Sequence, residues 1–514
     1  MRLLMLFIVG SLASALLAQP LVIREWFRTV DGGFNQHDHA YRVVLGSHDR
    51  PIIAGERTAA QPGYGTQTTV LGFVPNGQMS WSRFVVRNSG WKGTFANLVA
   101  DHHGNVLVTG SMGYIREENG GGMITEKLDP SSGTPLWNTH YISPRGINGD
   151  ALALYSAVAQ NDDALMVGFS HQNRDWVDLT ALRLDERDGR VKWLSHYAPY
   201  YNSATHGRAI GELPNGEVFT ANQHSLGVAV EDGLAIWHDG QTGEIRRLYL
   251  YDSGCKDGFQ TRLATDSQGF AYTSGGGCYE ENGRVYYSPM VWKWSPNGDL
   301  AWYRGIRFRE SGSDGGIASI MLDHDENLLV LRDLEESPGH WVSVLIKLDK
   351  RSGQTIWVSY LPNSDYLNMT KDHRGDIYVA GIDFHAPVGY TPQDGQLVKV
   401  RNSDGQVLWR ESFHHGSVHG GADRFYDVAI DRQGNVYACG SASVTNNLAD
   451  FLLVKYRQPI RGDVNLDGCV DDQDLALQLE AFGTFDDRYD SNGDGFVDMA
   501  DVLLLLDHFG QGCE

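Results

Sequence analysis

Beyond its first twenty residues the chain has no apolar stretch approaching the roughly eighteen residues a membrane helix needs. Basic residues are also short. Only 42 Lys and Arg stand against 64 Asp and Glu, a net charge of −22, so the basic footprint that nucleic-acid affinity requires is missing. No phosphate-cradling glycine loop precedes a helix, and neither a Gly-x-Ser-x-Gly elbow nor a His-Glu-x-x-His helix occurs. Helical periodicity is almost absent before residue 461. These gaps argue against a transmembrane-helix protein, a nucleic-acid binder and the enzyme classes those motifs mark.

What is present begins with Met1-Arg2, an apolar run from Leu3 to Leu17, and small residues around Ala13-Ser14-Ala15 and Ala18. That is the layout of a secretory signal peptide over residues 1–18. A mature protein that is secreted, extracellular or held at the cell surface is expected.

The last fifty-odd residues carry two twelve-residue loops offset by 27 residues, Asp463–Asp474 and Asp490–Asp501, each followed by an apolar helix. A hard cation such as calcium takes six to eight oxygen ligands, and an EF-hand-like loop supplies them from positions 1, 3, 5, 7, 9 and 12 around a turn glycine at 6. In the first loop these are Asp463, Asn465, Asp467, the Cys469 carbonyl, Asp471 and Asp474, with Gly468 turning. In the second they are Asp490, Asn492, Asp494, the Phe496 carbonyl, Asp498 and Asp501, with Gly495 turning. Fourteen acidic against two basic residues give 461–514 a charge of −12.

Two such loops, each ending in Asp, resemble a type I dockerin, the calcium-dependent module that docks onto cohesin domains. The resemblance implies two bound calcium ions, a cohesin-like partner and a module over residues 463–514 after a linker at 458–462. Positions 10 and 11, which commonly contribute to cohesin choice, read Asp472-Gln473 and Met499-Ala500 rather than the familiar Ser-Thr pair. That leaves the partner open, and with it a calcium-stiffened knob that binds nothing. Cys469 in the first loop and Cys513 at the end of the chain are expected to bridge. Cys255 and Cys278 flank one predicted strand and form the other plausible pair, while Cys439 falls inside a strand as a small buried hydrophobe. Five cysteines fit an oxidising compartment.

Residues 21–457 repeat. A turn glycine is followed four positions later by tryptophan at Gly77/Trp81, Gly133/Trp137, Gly189/Trp193, Gly298/Trp302, Gly353/Trp357 and Gly405/Trp409, while Gly243 is followed by Arg247. Successive glycines lie 56, 56, 54, 55, 55 and 52 residues apart, which marks a repeat architecture. Between them recur Asp-x-x-Gly hairpins, clear at Asp101–Gly110, Asp266–Gly275, Asp372–Gly381 and Asp431–Gly440. Degenerate versions bring the total to eight. Strand-length runs bounded by turn residues predict an all-β chain with four strands per repeat, an eight-bladed β-propeller with seven blades as the alternative. The final repeat lacks its tryptophan strand, and Trp26 lies 55 residues before Trp81. The N-terminal strand is therefore expected to complete the last blade and close the ring. The region is similar to eight-bladed quinoprotein-like propellers and to bacterial propeller repeats with hairpins such as Asp431-Arg-Gln-Gly-Asn-Val-Tyr437. The tryptophans are expected between blades.

For chemistry in the propeller, Asp38, Asp150, Asp257, Asp314, Asp365 and Asp423 precede the hairpins by ten to twelve residues, near the starts of the inner strands. They read either as a carboxylate ring at one channel mouth or as caps on backbone N–H groups. His37, His39, His206, His414, His415 and His419 share those loops, and a metal site among them would need their side chains to converge in space. Dockerin-bearing proteins are commonly polysaccharide-degrading enzymes, but no carboxylate pair stands out among 64 acids. Adjacent cysteines, common at the cofactor of alcohol-oxidising quinone dehydrogenases, are missing. The expected function is a non-catalytic propeller with a carbohydrate or protein ligand. A dockerin-targeted glycoside hydrolase or lyase is the alternative.

Overall fold

The computed structural model describes residues 22–513 except 34–35, 59–65, 86–91, 114–121, 144–150, 172–176, 198–202, 227–229, 252–258, 282, 307–315, 338–339, 363, 385–392, 417–420, 446–447, 461, 466, 487–488 and 492–495. The chain divides into two compact units, Glu25–Lys455 and Tyr456–Glu514, the latter counted with the first 24 residues. Each is taken by itself.

The first unit is an eight-bladed β-propeller. Its described residues form thirty-two strands in eight four-stranded antiparallel sheets. Blades 1 to 7 span 38–84, 92–142, 151–197, 203–251, 259–305, 317–362 and 364–413; blade 8 takes 424–457 and, as its outermost strand, Ile23–Val30. The N-terminal strand thus pairs with Leu448–Arg457 and closes the ring. First strands of successive blades approach one another in a closed cycle and line the central axis. Each carries a bulge at one register, for example between Ala40 and Arg42 and between Phe425 and Asp427. The apolar core lies in the seams. Ile52, Ala54 and Val70 of blade 1 pack with Leu98, Val106 and Ile124 of blade 2, because strands buried on both faces read as continuous apolar runs rather than alternations.

Each clear hairpin is organised by its aspartate. In Asp101, Asp266, Asp372 and Asp431 one carboxylate oxygen accepts the N–H groups two and four residues on. This pre-forms the turn as an Asx motif. In Asp101, Asp266 and Asp372 the other oxygen faces a cation on the third strand, Lys127 lying 2.8 Å from Asp101 and Lys399 3.4 Å from Asp372, whereas that of Asp431 accepts from Tyr437 and the Asn435 amide. In blade 3 Arg183 meets Asp163 at 2.6 Å. The lysines also reach across the seam, Lys127 Nζ donating to the Glu186 carbonyl at 3.1 Å and Lys293 Nζ to that of Lys350 at 2.7 Å.

The tryptophans sit between blades. Six of them donate their indole N–H to a turn carbonyl of the following blade: Trp26 to Pro75, Trp81 to Pro130, Trp137 to Glu186, Trp193 to Gly240, Trp302 to Lys350 and Trp357 to Asn402. The ring lies over that blade's turn glycine. Arg247, in the tryptophan position, makes the equivalent bond from its guanidinium to the Pro296 carbonyl. The turn glycine is therefore constrained twice, by a left-handed backbone and by the neighbour's ring. At Gly405, φ is +76° and a Cβ would stand 2.6 Å from Cε3 of Trp357. Gly405→Ala should cost about 1–2 kcal/mol from the backbone alone, with displacement of Trp357 added; urea denaturation measures it.

The second unit contains α1 (Asp472–Glu480) and α2 (Met499–Asp507). Both begin with a capping box in which an aspartate at the N-cap and another at N3 satisfy each other's backbone N–H groups, Asp471 with Asp474 and Asp498 with Asp501. The two copies latch reciprocally. Val470 of the first loop exchanges backbone hydrogen bonds with Gly510 and Gln511 after α2, and Val497 of the second does so with Gly483 and Thr484 after α1. Beside the first latch lies the Cys469–Cys513 disulfide. At the corresponding place beside the second, the Phe485 and Phe496 rings meet edge-on at 5.0 Å. Cys278 is disulfide-bonded, while Cys255 lies outside the described residues. Cys439 is free and fully buried. No helix among the described residues is long and apolar enough to cross a membrane. The segment read as a signal peptide also lies outside them.

Candidate functional site

The first C-terminal loop brings three of its expected ligands together. One carboxylate oxygen each from Asp463, Asp467 and Asp474 lie within 4.8 Å of one another. Gly468 turns with φ +99°, and its N–H donates to Asp463 Oδ2 at 3.0 Å. Asp474, fully buried, accepts from the backbone of Val464, Asn465 and Asp471. Asn465 Oδ1 accepts the Asp467 N–H, and Asp467 Oδ1 accepts that of Cys469. Asp471 caps α1 through the Gln473 N–H.

The decisive atom for a cation is Asp463 Oδ1, buried and without a hydrogen-bond partner among the described residues. A buried carboxylate oxygen left unmatched is costly. Burial, with Asp474 and Asp467 adding to it, raises the Asp463 carboxyl above its ordinary pKa, against the Gly468 N–H and the Arg457 guanidinium 3.1 Å from Oδ2. The donor set is all oxygen, which suits calcium. In the second loop Asp490, Phe496, Asp498 and Asp501 are described, Asp501 being fully buried with Oδ2 accepting the Asp498 N–H at 2.8 Å. Asn492 and Asp494 lie outside the described residues.

In the propeller, the proposed acid ring resolves into different roles. Asp38 and Asp423 occupy the same register and clamp backbone: Asp38 accepts from Gly32 and Thr58, Asp423 from His415 and Ser443. Asp365 sits one step further along its strand and shares a hydrogen bond with Asp333 of blade 6, and burial drives both carboxyls upward. Asp150, Asp257 and Asp314 lie outside the described residues, as does His419. The histidines do not form one group. His37 and His39 stack in parallel, and His39 lies against Tyr41 and Tyr426. His206 meets Phe169 edge-on. Burial lowers His39 and His206 to about 4, so both are neutral at pH 7.

Asp31, Asp38 and Asp450 converge across the seam of blades 8 and 1. Burial first, then the neighbouring acids, raises Asp38 and Asp450 from 3.8 to about 6. Between those values the folded chain holds more protons than the unfolded one, so stability falls as pH rises through about 4 to 6. Asp450→Asn should flatten that part of the stability profile, by up to about 3 kcal/mol; melting temperature against pH checks it.

Around the channel runs a polar chain that sequence reading missed. Arg42 of blade 1 lies 3.8 Å from Asp427 of blade 8. Asn368 of blade 7 donates to Asp427 at 2.6 Å, and Ser319 of blade 6 donates to Asn368 at 3.0 Å. All four follow the inner-strand bulge, so blade alignment was the available signal. The Arg42–Asp427 link depends on ring closure, and the other two on the packing of consecutive blades.

Residues 259–477 match the model of a family described as outer membrane protein assembly factor BamB. No curated protein matches the chain. Among solved structures, the chain is similar to a quinohemoprotein alcohol dehydrogenase from Pseudomonas putida HK5, with 10% identity over 86% of this chain and 77% of that one, at a TM-score of 0.49. Another from Comamonas testosteroni is also 10% identical, covering 94% and 88% at 0.48. The WD40 propeller of Doa1 is 10% identical over 85% and 97% at 0.40.

Proposed function

We propose that this is an exported, non-catalytic propeller that presents a surface to a protein or carbohydrate ligand and is attached to an extracellular or cell-surface assembly through its C-terminal loops. These loops, residues 463–514, bind two calcium ions and dock in the manner of a type I dockerin on a cohesin-like partner. The observation that carries the reading is the unmatched, buried Asp463 Oδ1 beside the carboxylates of Asp467 and Asp474. A divalent cation supplies the charge those oxygens lack. The Cys469–Cys513 bridge agrees with an oxidising compartment. Equilibrium dialysis of the full chain should recover two calcium ions, and immobilised full chain should capture a surface protein in calcium but not in chelator. Capture that ignores both chelator and Asp463→Asn would remove the proposal.

A second reading, a carbohydrate-active hydrolase or lyase, is favoured by one observation. Asp333 and Asp365 share a hydrogen bond and both are raised, an arrangement that suits acid–base work. New reducing ends or unsaturated sugars from a polysaccharide panel, lost in Asp365→Asn, would support it.

A further inference from the structure

We infer that Asp394, His414 and Asp423 form a binding site for a divalent transition-metal ion of the zinc class at the seam of blades 7 and 8. The three come from separate segments. Asp394 lies on the third strand of blade 7 (Gln393–Val400), His414 immediately follows its outer strand (Val407–Phe413), and Asp423 immediately precedes the inner strand of blade 8 (Arg424–Ile430). Their donor atoms all lie within 4.8 Å of one another. His414 Nδ1 is 3.1 Å from Asp394 Oδ1 and 3.5 Å from Asp423 Oδ2. Ligands about 2.1 Å from a tetrahedral ion stand about 3.4 Å apart, so these separations match its edges.

The donor chemistry differs from that of the C-terminal loops. One imidazole nitrogen with two carboxylates suits zinc and its neighbours better than calcium. Asp423 is held in place from behind, its two oxygens accepting the His415 N–H at 2.6 Å and the Ser443 N–H at 2.9 Å. Such outer contacts orient metal ligands. The His414 side chain is 44% exposed while Asp423 is 1% exposed, so the cluster is anchored on one side and open on the other, as three-ligand sites with an exchangeable position are.

The blade repeat builds this geometry. At the next seam the corresponding positions are Asp450, Asp31 and Asp38, which also converge, and Asp38 is held by Gly32 and Thr58 as Asp423 is by His415 and Ser443. Of these two seams, only that of blades 7 and 8 has an imidazole in the set, and the inference is confined to it.

The competing account is a plain His414–Asp394 ion pair. Calorimetric titration of the full chain with zinc, in excess calcium to occupy the C-terminal loops, separates the two. One saturable zinc site is expected, weakened about a hundredfold by His414→Ala and comparably by Asp394→Asn, with a zinc-dependent rise in melting temperature in the parent only. Because His414 is half exposed, its variant should fold, and His414→Gln provides a second. Absence of a saturable zinc site, or equal zinc affinity in the parent and His414→Ala, overturns the inference.

Discussion

Removing calcium should unfold the two loops and both short helices of the C-terminal unit while leaving the propeller's own melting transition in place. Residues 461–514 carry a charge of −12, and Asp463, Asp474 and Asp501 are buried. Without a cation, like charges crowded into so small a core repel one another. Since the ligands are assembled only on folding, the free energy of ion binding is also folding free energy. Calcium at a thousand times its dissociation constant contributes about 4 kcal/mol per site, a large fraction of what a unit this small can have. The first copy should lose most from Asp463→Asn, which weakens the cation's attraction while leaving the Gly468 contact an acceptor. Differential scanning calorimetry of the full chain, with calcium and with chelator, should show the smaller transition shift or vanish and the larger one stay. A smaller transition indifferent to chelator would count against calcium in the loops. Reducing the Cys469–Cys513 bridge should deepen the loss, because the bridge limits the unfolded chain's freedom.

Lys127→Met should destabilise the propeller by about 3 kcal/mol or more, although it is only one of many charged side chains. The Lys127 and Asp101 side chains are 3% and 0% exposed and 2.8 Å apart. Removing one partner of a buried pair strands the other, a loss of about 3–5 kcal/mol. Here Asp101 keeps the N–H groups of His103 and Asn105 and the Asn105 amide, which holds the loss toward the lower end. Lys127 also gives up its bond to the Glu186 carbonyl in blade 3. The diagnostic is the double variant. Lys127→Met with Asp101→Asn should be less destabilised than Lys127→Met alone, since no charge is left buried. Chemical denaturation of the four proteins in the cycle measures the coupling, and simple additivity would show that the pair is not coupled.

Much of the fold was legible because the repeat is local. Gly and Trp four residues apart, together with Asp-x-x-Gly hairpins, gave four strands per blade and a count of eight. The position of Trp26 relative to Trp81 was enough to expect the N-terminal strand in blade 8. Even Arg247 keeps the seam bond of the tryptophan it replaces. The third-strand cations were visible but went unread. Lys127, Lys293, Lys347 and Lys399 each stand next to last in their strands, and their meaning appears only when the sheet folds them over the hairpin aspartates. The acids before the inner strands looked alike in sequence yet separated by one register step, which turned Asp38 and Asp423 into backbone clamps and Asp365 toward Asp333. His414 was grouped with other histidines by loop position. What selects it is the pair of acids beside it, Asp394 of blade 7 and Asp423 at the start of blade 8, which only the packing of these consecutive blades brings together. In the C-terminal loops, spacing set out the candidate ligands, but the reciprocal latching of Val470 and Val497 required the two copies to face each other.

The bonds from Lys127, Lys293 and the tryptophans to the next blade bear on how the ring comes apart. Repeat arrays with only neighbour contacts and two free ends can fray from a terminus, one module at a time. Here every blade is tied forward, and the last is completed by the first strand of the chain, so fraying has no end from which to begin. Pulling or heating should therefore meet resistance from the whole circle at once, with release of Ile23–Val30 as the event that opens it.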